Sequence, residues 1–244
     1  MKKLLILITC VAVFTQCKKE KPKDPEPVPS AYTAPTGSIT GKVTQYDQYN
    51  NTYTVGLNNT TVSLFGTSYS TVTDALGHYT LTNIPQGIYS IATDKPGCGT
   101  YQTQQISFVG NGTLYHDSYT CDKATYTFNS GSVIDSVGNL LITVNLNPVN
   151  NPLGVIVIYG TSGNLNLSDP NSYSALLQYS IPANKSTYRK QDNFSNLPSG
   201  LIYAKIYPSP YYTSGSMYHD VPSGKNYYVS YGTPIATTYT FTNP

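Results

Sequence analysis

The sequence predicts an all-β exported protein, with two antiparallel β-sandwiches in tandem behind a signal peptide and a proline-rich tether. Three observations carry that expectation. The first is composition: the 244 residues include 24 Tyr against 6 Phe and no Trp. Aromatic and β-branched residues suit strands, while the abundant Gly, Asn, Asp and Pro suit turns. The second is periodicity: from about Gly37 onward, apolar and polar residues alternate in short runs separated by turn signals. The third is that no window keeps a helical repeat for three turns. Ser172–Gln178 comes nearest, but it is too short and lacks a firm C-terminal cap.

The chain begins with Lys2 and Lys3 and an apolar run of 11 residues, Leu4 to Phe14. That length fits the apolar region of a signal peptide and is too short to span a bilayer. Cys17 follows Phe14-Thr15-Gln16 and precedes a charged stretch, an arrangement that resembles a bacterial lipoprotein signal. The resemblance implies a signal peptide over 1–16 and acylation of Cys17, which would anchor the chain to the outer membrane on its periplasmic or surface face. Gln16 departs from the family pattern, which prefers a small residue there. Cys10 has a better leucine before it but a shorter apolar run, Leu4 to Ile8. A plain secreted protein is the other reading, and it lacks a small-x-small cleavage site near residue 17. Residues 17–36 form the tether. Its prolines, from Pro22 to Pro29, favour an extended spacer. At ~3.1 Å per residue, the stretch from Lys18 to Pro35 would reach up to roughly 55 Å.

Charge narrows the partners. The balance of 14 basic against 12 acidic residues gives +2, and removing Lys2 and Lys3 with the signal leaves 12 against 12. The pI near 8.2 is thus partly a property of the signal. From residue 37 there is one arginine, Arg189, and no glutamate. Nucleic-acid binding needs a clustered basic surface, so it is not expected.

Residues 37–129 read as the first sandwich. Its strands include Ile39–Val43, Thr60–Phe65, His78–Asn83, Ile88–Thr93, Ile106–Val109 and Thr113–Tyr119. The punctuation between them carries a resemblance. Gly41-Lys42-Val43, Thr61 to Thr67, Thr73-Asp74-Ala75-Leu76-Gly77-His78-Tyr79 and Asn83-Ile84-Pro85-Gln86-Gly87-Ile88-Tyr89 look like the carboxypeptidase regulatory-like domain. The match covers about residues 37–120 and implies a seven-stranded, prealbumin-like sandwich. Asp74 and Gly77 would then make a hairpin turn, Pro85 and Gly87 the next turn, and Tyr89 would send its ring into the core.

Residues 130–244 read as a second Ig-like or prealbumin-like sandwich, a diverged repeat. Phe65-Gly66-Thr67-Ser68 returns at Tyr159-Gly160-Thr161-Ser162, an offset of 94. Leu81 to Gly87 returns at Phe194 to Gly200 and Thr125 to Phe128 at Thr238 to Phe241, both at 113. The jump implies an insertion of 19 residues within Gly163–Asn193, where a long functional loop is expected. An unrelated sandwich sharing only hairpin grammar is the other reading. The domain boundary falls between 122 and 138.

Catalytic signatures are sparse. There is no His-x-x-Glu, no Gly-x-Ser-x-Gly elbow and no phosphate-cradling glycine loop. His116-Asp117 and His219-Asp220 echo each other but fit neither repeat offset, and three histidines without a close pair make a poor metal set. No cofactor or metal is expected. Cys98 and Cys121 could bond in an oxidising compartment, closing a loop of about 24 residues worth ~3 kcal/mol. The rival reading is two free thiols set too far apart. The aromatic run Tyr207-Pro208-Ser209-Pro210-Tyr211-Tyr212 suggests a ligand contact through Tyr207, Tyr211 and Tyr212, against the plainer reading of partly buried cross-strand rings.

The expected function is that of a non-enzymatic, lipid-anchored envelope lipoprotein that binds, adheres or scaffolds through loops. An envelope protein would be its partner. The alternative is a glycan-binding surface lipoprotein of a nutrient-uptake system. Mass spectrometry of the mature N-terminus should find lipid on Cys17, and Cys17→Ala should release the chain from membranes. An unmodified terminus downstream, or lipid on Cys10, would remove the assignment. Stable anchoring takes two acyl chains, since one is marginal.

Overall fold

The computed structural model describes residues 33–136, 139–193, 195 and 197–243. Cys17, Cys10, the signal peptide and most of the tether lie outside these residues. Every regular element described is a strand.

The first sandwich is built from β1 (Thr36–Tyr46), β2 (Thr61–Leu64), β3 (Ser70–Val72), β4 (His78–Pro85), β5 (Gly87–Asp94), β6 (Tyr101–Phe108), β7 (Thr113–Tyr115) and β8 (Ser118–Cys121). One sheet places β1 between antiparallel β4 and the parallel pair β7 and β8; the other runs β3-β2-β5-β6. Alternation puts Ile39 and Val43 of β1, Val62 and Leu64 of β2, Tyr79, Leu81 and Ile84 of β4, and Ile91 of β5 into one shared core. The Asp74–Gly77 turn, expected to close a hairpin, and the Pro85–Gly87 turn after it both carry the chain from one sheet to the other. Asp74 accepts the amides of Leu76 and His78 at 2.9 Å each, and Gly77 has a φ of +85°. A Cβ on Gly77 would meet the Val43 carbonyl at 2.7 Å, so glycine is required there twice over. At the second corner, Asn83 takes the positive φ of 58°, not Gly87. Gly87 is constrained differently, because a Cβ there would touch the Tyr89 ring at 3.0 Å. Tyr89 lies at the core's edge, half-buried, with its hydroxyl donating to the Pro85 carbonyl at 2.8 Å.

The second sandwich holds β9 (Phe128–Ser136), β10 (Asn139–Leu146), β11 (Leu153–Gly160), β12 (Ala175–Ile181), β13 (Thr187–Asp192), β14 (Gly200–Ser209), β15 (Met217–Asp220), β16 (Lys225–Tyr228) and β17 (Tyr239–Asn243). Its sheets run β13-β10-β9 and β12-β11-β14-β17, with β15-β16 as a separate hairpin. The order β12-β11-β14 repeats β3-β2-β5, and β13-β10 repeats β4-β1. The stretch Gly163–Asn193 is therefore not one long insertion, because β12 and β13 both lie within it. Ahead of them runs the loop 161–174, which folds back on the sheet. Its Leu165 and Leu167 pack with Ile156, Ile158 and Tyr207 on the outer face of β11. The inner face of β11 packs in the main core, so all eight of its residues are buried. That double burial explains the unbroken apolar run Val155-Ile156-Val157-Ile158-Tyr159.

The two sandwiches meet through backbone. A Cβ on Gly99 would lie 2.1 Å from the Val229 carbonyl oxygen, and one on Gly215 would lie 3.0 Å from the Thr120 backbone. Ala124 donates its amide to the Ser230 carbonyl at 2.9 Å, and the Ser230 hydroxyl donates to the Cys121 carbonyl at 2.9 Å. Gln104 of β6 clasps the β15-β16 turn, giving its amide to Asp220 at 2.6 Å and accepting the Val221 amide at 2.9 Å.

Gly99→Val should force these backbones apart while leaving both cores intact. The thermal transition of the body should then split or fall, at a cost of about 1–3 kcal/mol for an overpacked contact. An unshifted single transition would show that the junction does not couple the two halves.

Candidate functional site

The residues singled out in the sequence scatter. Tyr207 does not project from a loop: it sits inside β14 and is 3% exposed. Its hydroxyl accepts the Leu167 amide at 3.3 Å, and its ring packs edge-on against Tyr231. Burial raises its hydroxyl pKa, and it is unavailable to a ligand. Tyr212 is 55% exposed and Tyr211 half-buried against it, with ring centroids 5.6 Å apart.

Cys98 and Cys121 are both free thiols, in place of the bond considered above. The reason is the period-two geometry of the strand end. Cys98 is bridged to Asp122, and its thiol lies 3.3 Å from the Asp122 carboxylate. Cys121, one residue earlier, points the other way, toward the Ser230 and Thr213 hydroxyls of the second sandwich. Burial, with Asp122 adding to it, pushes the Cys98 thiol up to about 11 and the Cys121 thiol up to about 12.

His116 and His219 do not converge. His116 follows β7, half-buried, and burial lowers its pKa. His219 lies on β15 with Nδ1 3.0 Å from the Asn226 amide oxygen. Among the described residues no cluster of three His, Cys, Asp or Glu side chains could hold a metal.

Two other features form a continuous surface. The first is a cleft of about 430 Å³ on the outer face of the first sandwich, lined by Lys42, Thr44, Thr52, Tyr53, Thr54, Leu57, Leu76 and His78. Lys42 and Thr44 point outward from β1, while Ile39 and Val43 fill the core. The loop 47–60 forms the opposite wall and is pinned at three points. Asp47 accepts the amides of Tyr49 and Asn51 at 2.8 Å each. Lys95 donates to the Gly56 carbonyl at 2.6 Å, and the Tyr53 hydroxyl donates to Asp122 at 2.6 Å. That bond to a carboxylate raises the pKa of Tyr53.

The second feature is a row of tyrosines. Tyr119 of β8 is the register partner of Thr44, so the row starts where the cleft ends. Tyr46 and Tyr101 contact Tyr119 with centroids 6.4 and 5.9 Å away. Tyr101 contacts Tyr218 across the junction at 6.4 Å, and Tyr218 stacks on Tyr227 at 5.3 Å with planes 6° apart. All five rings keep some solvent exposure. Gln104, Asp220 and Asn226 lie close to its far end. The Tyr218–Tyr227 pair was missed in the sequence; the turn residues Pro222-Ser223-Gly224 between two short runs are the signal that could have found it. The meeting of Tyr101 and Tyr119 with it has no such signal, since it depends on how the sandwiches dock.

No family model matches the chain, and no curated protein does. Solved structures similar to it include a type II cohesin–X-dockerin complex from Acetivibrio cellulolyticus, 18% identical, covering 37% of this chain and 61% of that one, with a TM-score of 0.31. The chain thus spans less than two thirds of that structure's length. A candidate carbohydrate binding protein from Bacteroides uniformis is 14% identical over 86% of this chain and 100% of its own, with a TM-score of 0.28. A DUF3823 family protein from Bacteroides ovatus is 16% identical over 84% and 98%, also at 0.28. The all-β assignment rests on the strand pairing of the chain itself.

In the folded body, Cys98 and Cys121 should react slowly with a thiol reagent, and both should react fast in denaturant without reductant. Finding no reactive thiol in denaturant would restore the disulfide.

Proposed function

We propose that this chain is a non-enzymatic binding module of the bacterial envelope, held by lipid on Cys17 and extended by the tether. One observation carries the reading: five tyrosines in unbroken ring contact cross the junction of two sandwiches whose backbones are locked together. Tyrosine offers a broad amphipathic surface at low entropic cost, and a locked junction holds the rings in place before a ligand arrives. The envelope location rests on the lipoprotein-like signal alone.

The shape of the row favours a glycan over a folded protein partner. A stable protein interface covers a broad patch of roughly 800 Å² per side with a packed centre. Here the aromatic surface is a track one or two rings wide, bordered by Gln104, Asp220 and Asn226, and it leads into a cleft. A chain-like ligand with apolar ring faces and hydroxyl edges matches that outline.

A glycan array probed with the mature chain should give hits that Tyr218→Ala and Tyr227→Ala weaken about tenfold, as loss of one stacking contact of ~1–1.5 kcal/mol would. Melting should fall only slightly in both variants, by the roughly 0.5–1.5 kcal/mol of the lost ring pair, with the cooperative transition retained. No array hits together with a specific envelope-protein partner would replace the glycan by a protein scaffold role. Turnover of a library substrate, lost on mutating His116 or His219, would overturn the binding reading itself.

A further inference from the structure

The first sandwich is polarised in charge. The loops toward the second sandwich carry charged residues, Asp47, Asp74, Asp94, Lys95, Asp122 and Lys123 among them. The other end is where β1, β5 and β7 begin and β2, β4 and β6 finish. The segments that build it, residues 34–41, 60–73, 79–93 and 100–115, contain no Asp, Glu, Lys, Arg or His. Three large apolar side chains stand out from this end: Phe65 at 63%, Ile88 at 75% and Val109 at 72% exposure. Ile88 and Val109 line one shallow depression with Gly87 and Ser107. Phe65 is held beside them, its amide donating to the Ser90 carbonyl at 2.8 Å. Alternation puts Phe65 and Ile88 outside, because Leu64 and Tyr89 next to them take the core side. Exposed apolar residues scattered singly are ordinary, whereas a cluster on an uncharged end marks a contact surface. The chain enters the body at the same place. The Pro35 carbonyl accepts the Gln86 amide at 3.1 Å, and a Cβ on Gly110 would lie 2.3 Å from the Pro35 carbonyl oxygen.

We infer that this end of the first sandwich is a membrane-docking surface, and that its partner is the bilayer holding the lipid on Cys17. The assignment rests on the lipid anchor proposed above and adds where the body itself makes contact. Pro35 lies 18 residues after Cys17, so an anchored chain keeps the patch within the tether's reach of the bilayer. A surface held that close needs little affinity of its own, because tethering supplies a high effective concentration. Apolar side chains gain by entering the boundary between headgroups and acyl chains, and charged ones resist it. Phe65, Ile88 and Val109 can enter with no neighbouring charge to desolvate. The tyrosine row begins at the opposite end of the sandwich, at Tyr46 and Tyr119, so a docked body keeps it clear of lipid. The tether then works as a leash on a docked body.

The chain has no Trp, so a single introduced tryptophan reports its own surroundings. The test puts the full mature, acylated chain on phosphatidylcholine vesicles, carrying Ile88→Trp or Val109→Trp. Val72→Trp and Leu201→Trp are the controls, at positions 59% and 53% exposed. The first two variants should show blue-shifted emission and strong quenching by lipid brominated on its acyl chains. The controls should emit on vesicles as they do in buffer. In the chain without added tryptophan, amide exchange over residues 86–89 and 107–111 should slow several-fold on vesicles, and Phe65→Ser combined with Ile88→Ser should restore it. Both side chains are exposed, so that variant should keep its cooperative melt. Equal quenching at all four positions, or none at Ile88→Trp and Val109→Trp while the acylated chain stays on the vesicles, would overturn the inference and leave the anchor in place. A mature chain that carries no lipid and does not float with vesicles would remove both. Protection of the same amides by a soluble envelope protein, without quenching by lipid, would overturn the inference in favour of a protein contact.

Discussion

The close approach of backbone at Gly99 and Val229 is the constraint on which the rest of this structure depends. Two sandwiches joined by a short connection would ordinarily move against each other, because interdomain surfaces within a chain tend to be modest and polar. Here the contact is made by main chain at distances a side chain would block, at Gly99 and again at Gly215. Hydrogen bonds from Ala124 and Ser230 tie the connection to the second sandwich. Once these are in place, Tyr101 has a fixed relation to Tyr218, and the aromatic row becomes a single surface.

The same strand end that docks the sandwiches also builds the cleft. Asp122 follows β8 and collects the Tyr53 hydroxyl, the Gln45 amide and the Cys98 thiol. Gln45 in turn accepts from Lys95, whose ammonium also holds the Gly56 carbonyl. This mostly side-chain network lies on the inner face of the β1-β8 pair, while Cys121 on the outer face receives the second sandwich. Alternation along five residues thus assigns one face to loop positioning and the other to docking. It also explains why two cysteines so close in space do not bond.

Much of the fold was legible because strands here obey the period-two rule closely. Alternation within Thr60–Phe65 and His78–Asn83 sets Val62 with Leu64 and Tyr79 with Leu81 on one face of each strand, and that face is the core. The corner residues were legible as punctuation but not as geometry. Asp74-x-x-Gly77 reads as a hairpin turn because a turn residue reports φ, whereas the sheet that receives the next strand is set by packing far along the chain. Tyr207 shows the opposite failure. Pro208 and Pro210 close behind it suggested a loop, yet β14 carries Pro208 within it. Tyr207 is sealed by Leu165 and Leu167 from a loop some forty residues away. The binding surface was least legible of all. Tyr53 lies in a polar, glycine-containing connection with no alternation, and its role appears only once Asp122 and Lys95 are brought to it.

Why this loop should be pinned so heavily follows from entropy. A connection as long as residues 47–60 has many conformations, and fixing each residue costs about 1–2 kcal/mol. Surface loops without a task usually leave that cost unmet and stay mobile. Here Asp47 orders the start of the loop with bonds to Tyr49 and Asn51, Asp122 and Lys95 order its middle, and Leu57 buries its end at 5% exposure. Meanwhile Val55, at 74% exposure, and Thr52 and Thr54 are left facing out. Folding thus meets the cost of ordering the cleft wall, without using the groups that line it. A surface that is rigid yet chemically unsatisfied is one whose remaining bonds can go to a ligand, and the junction behind it keeps the tyrosine row aligned with that opening.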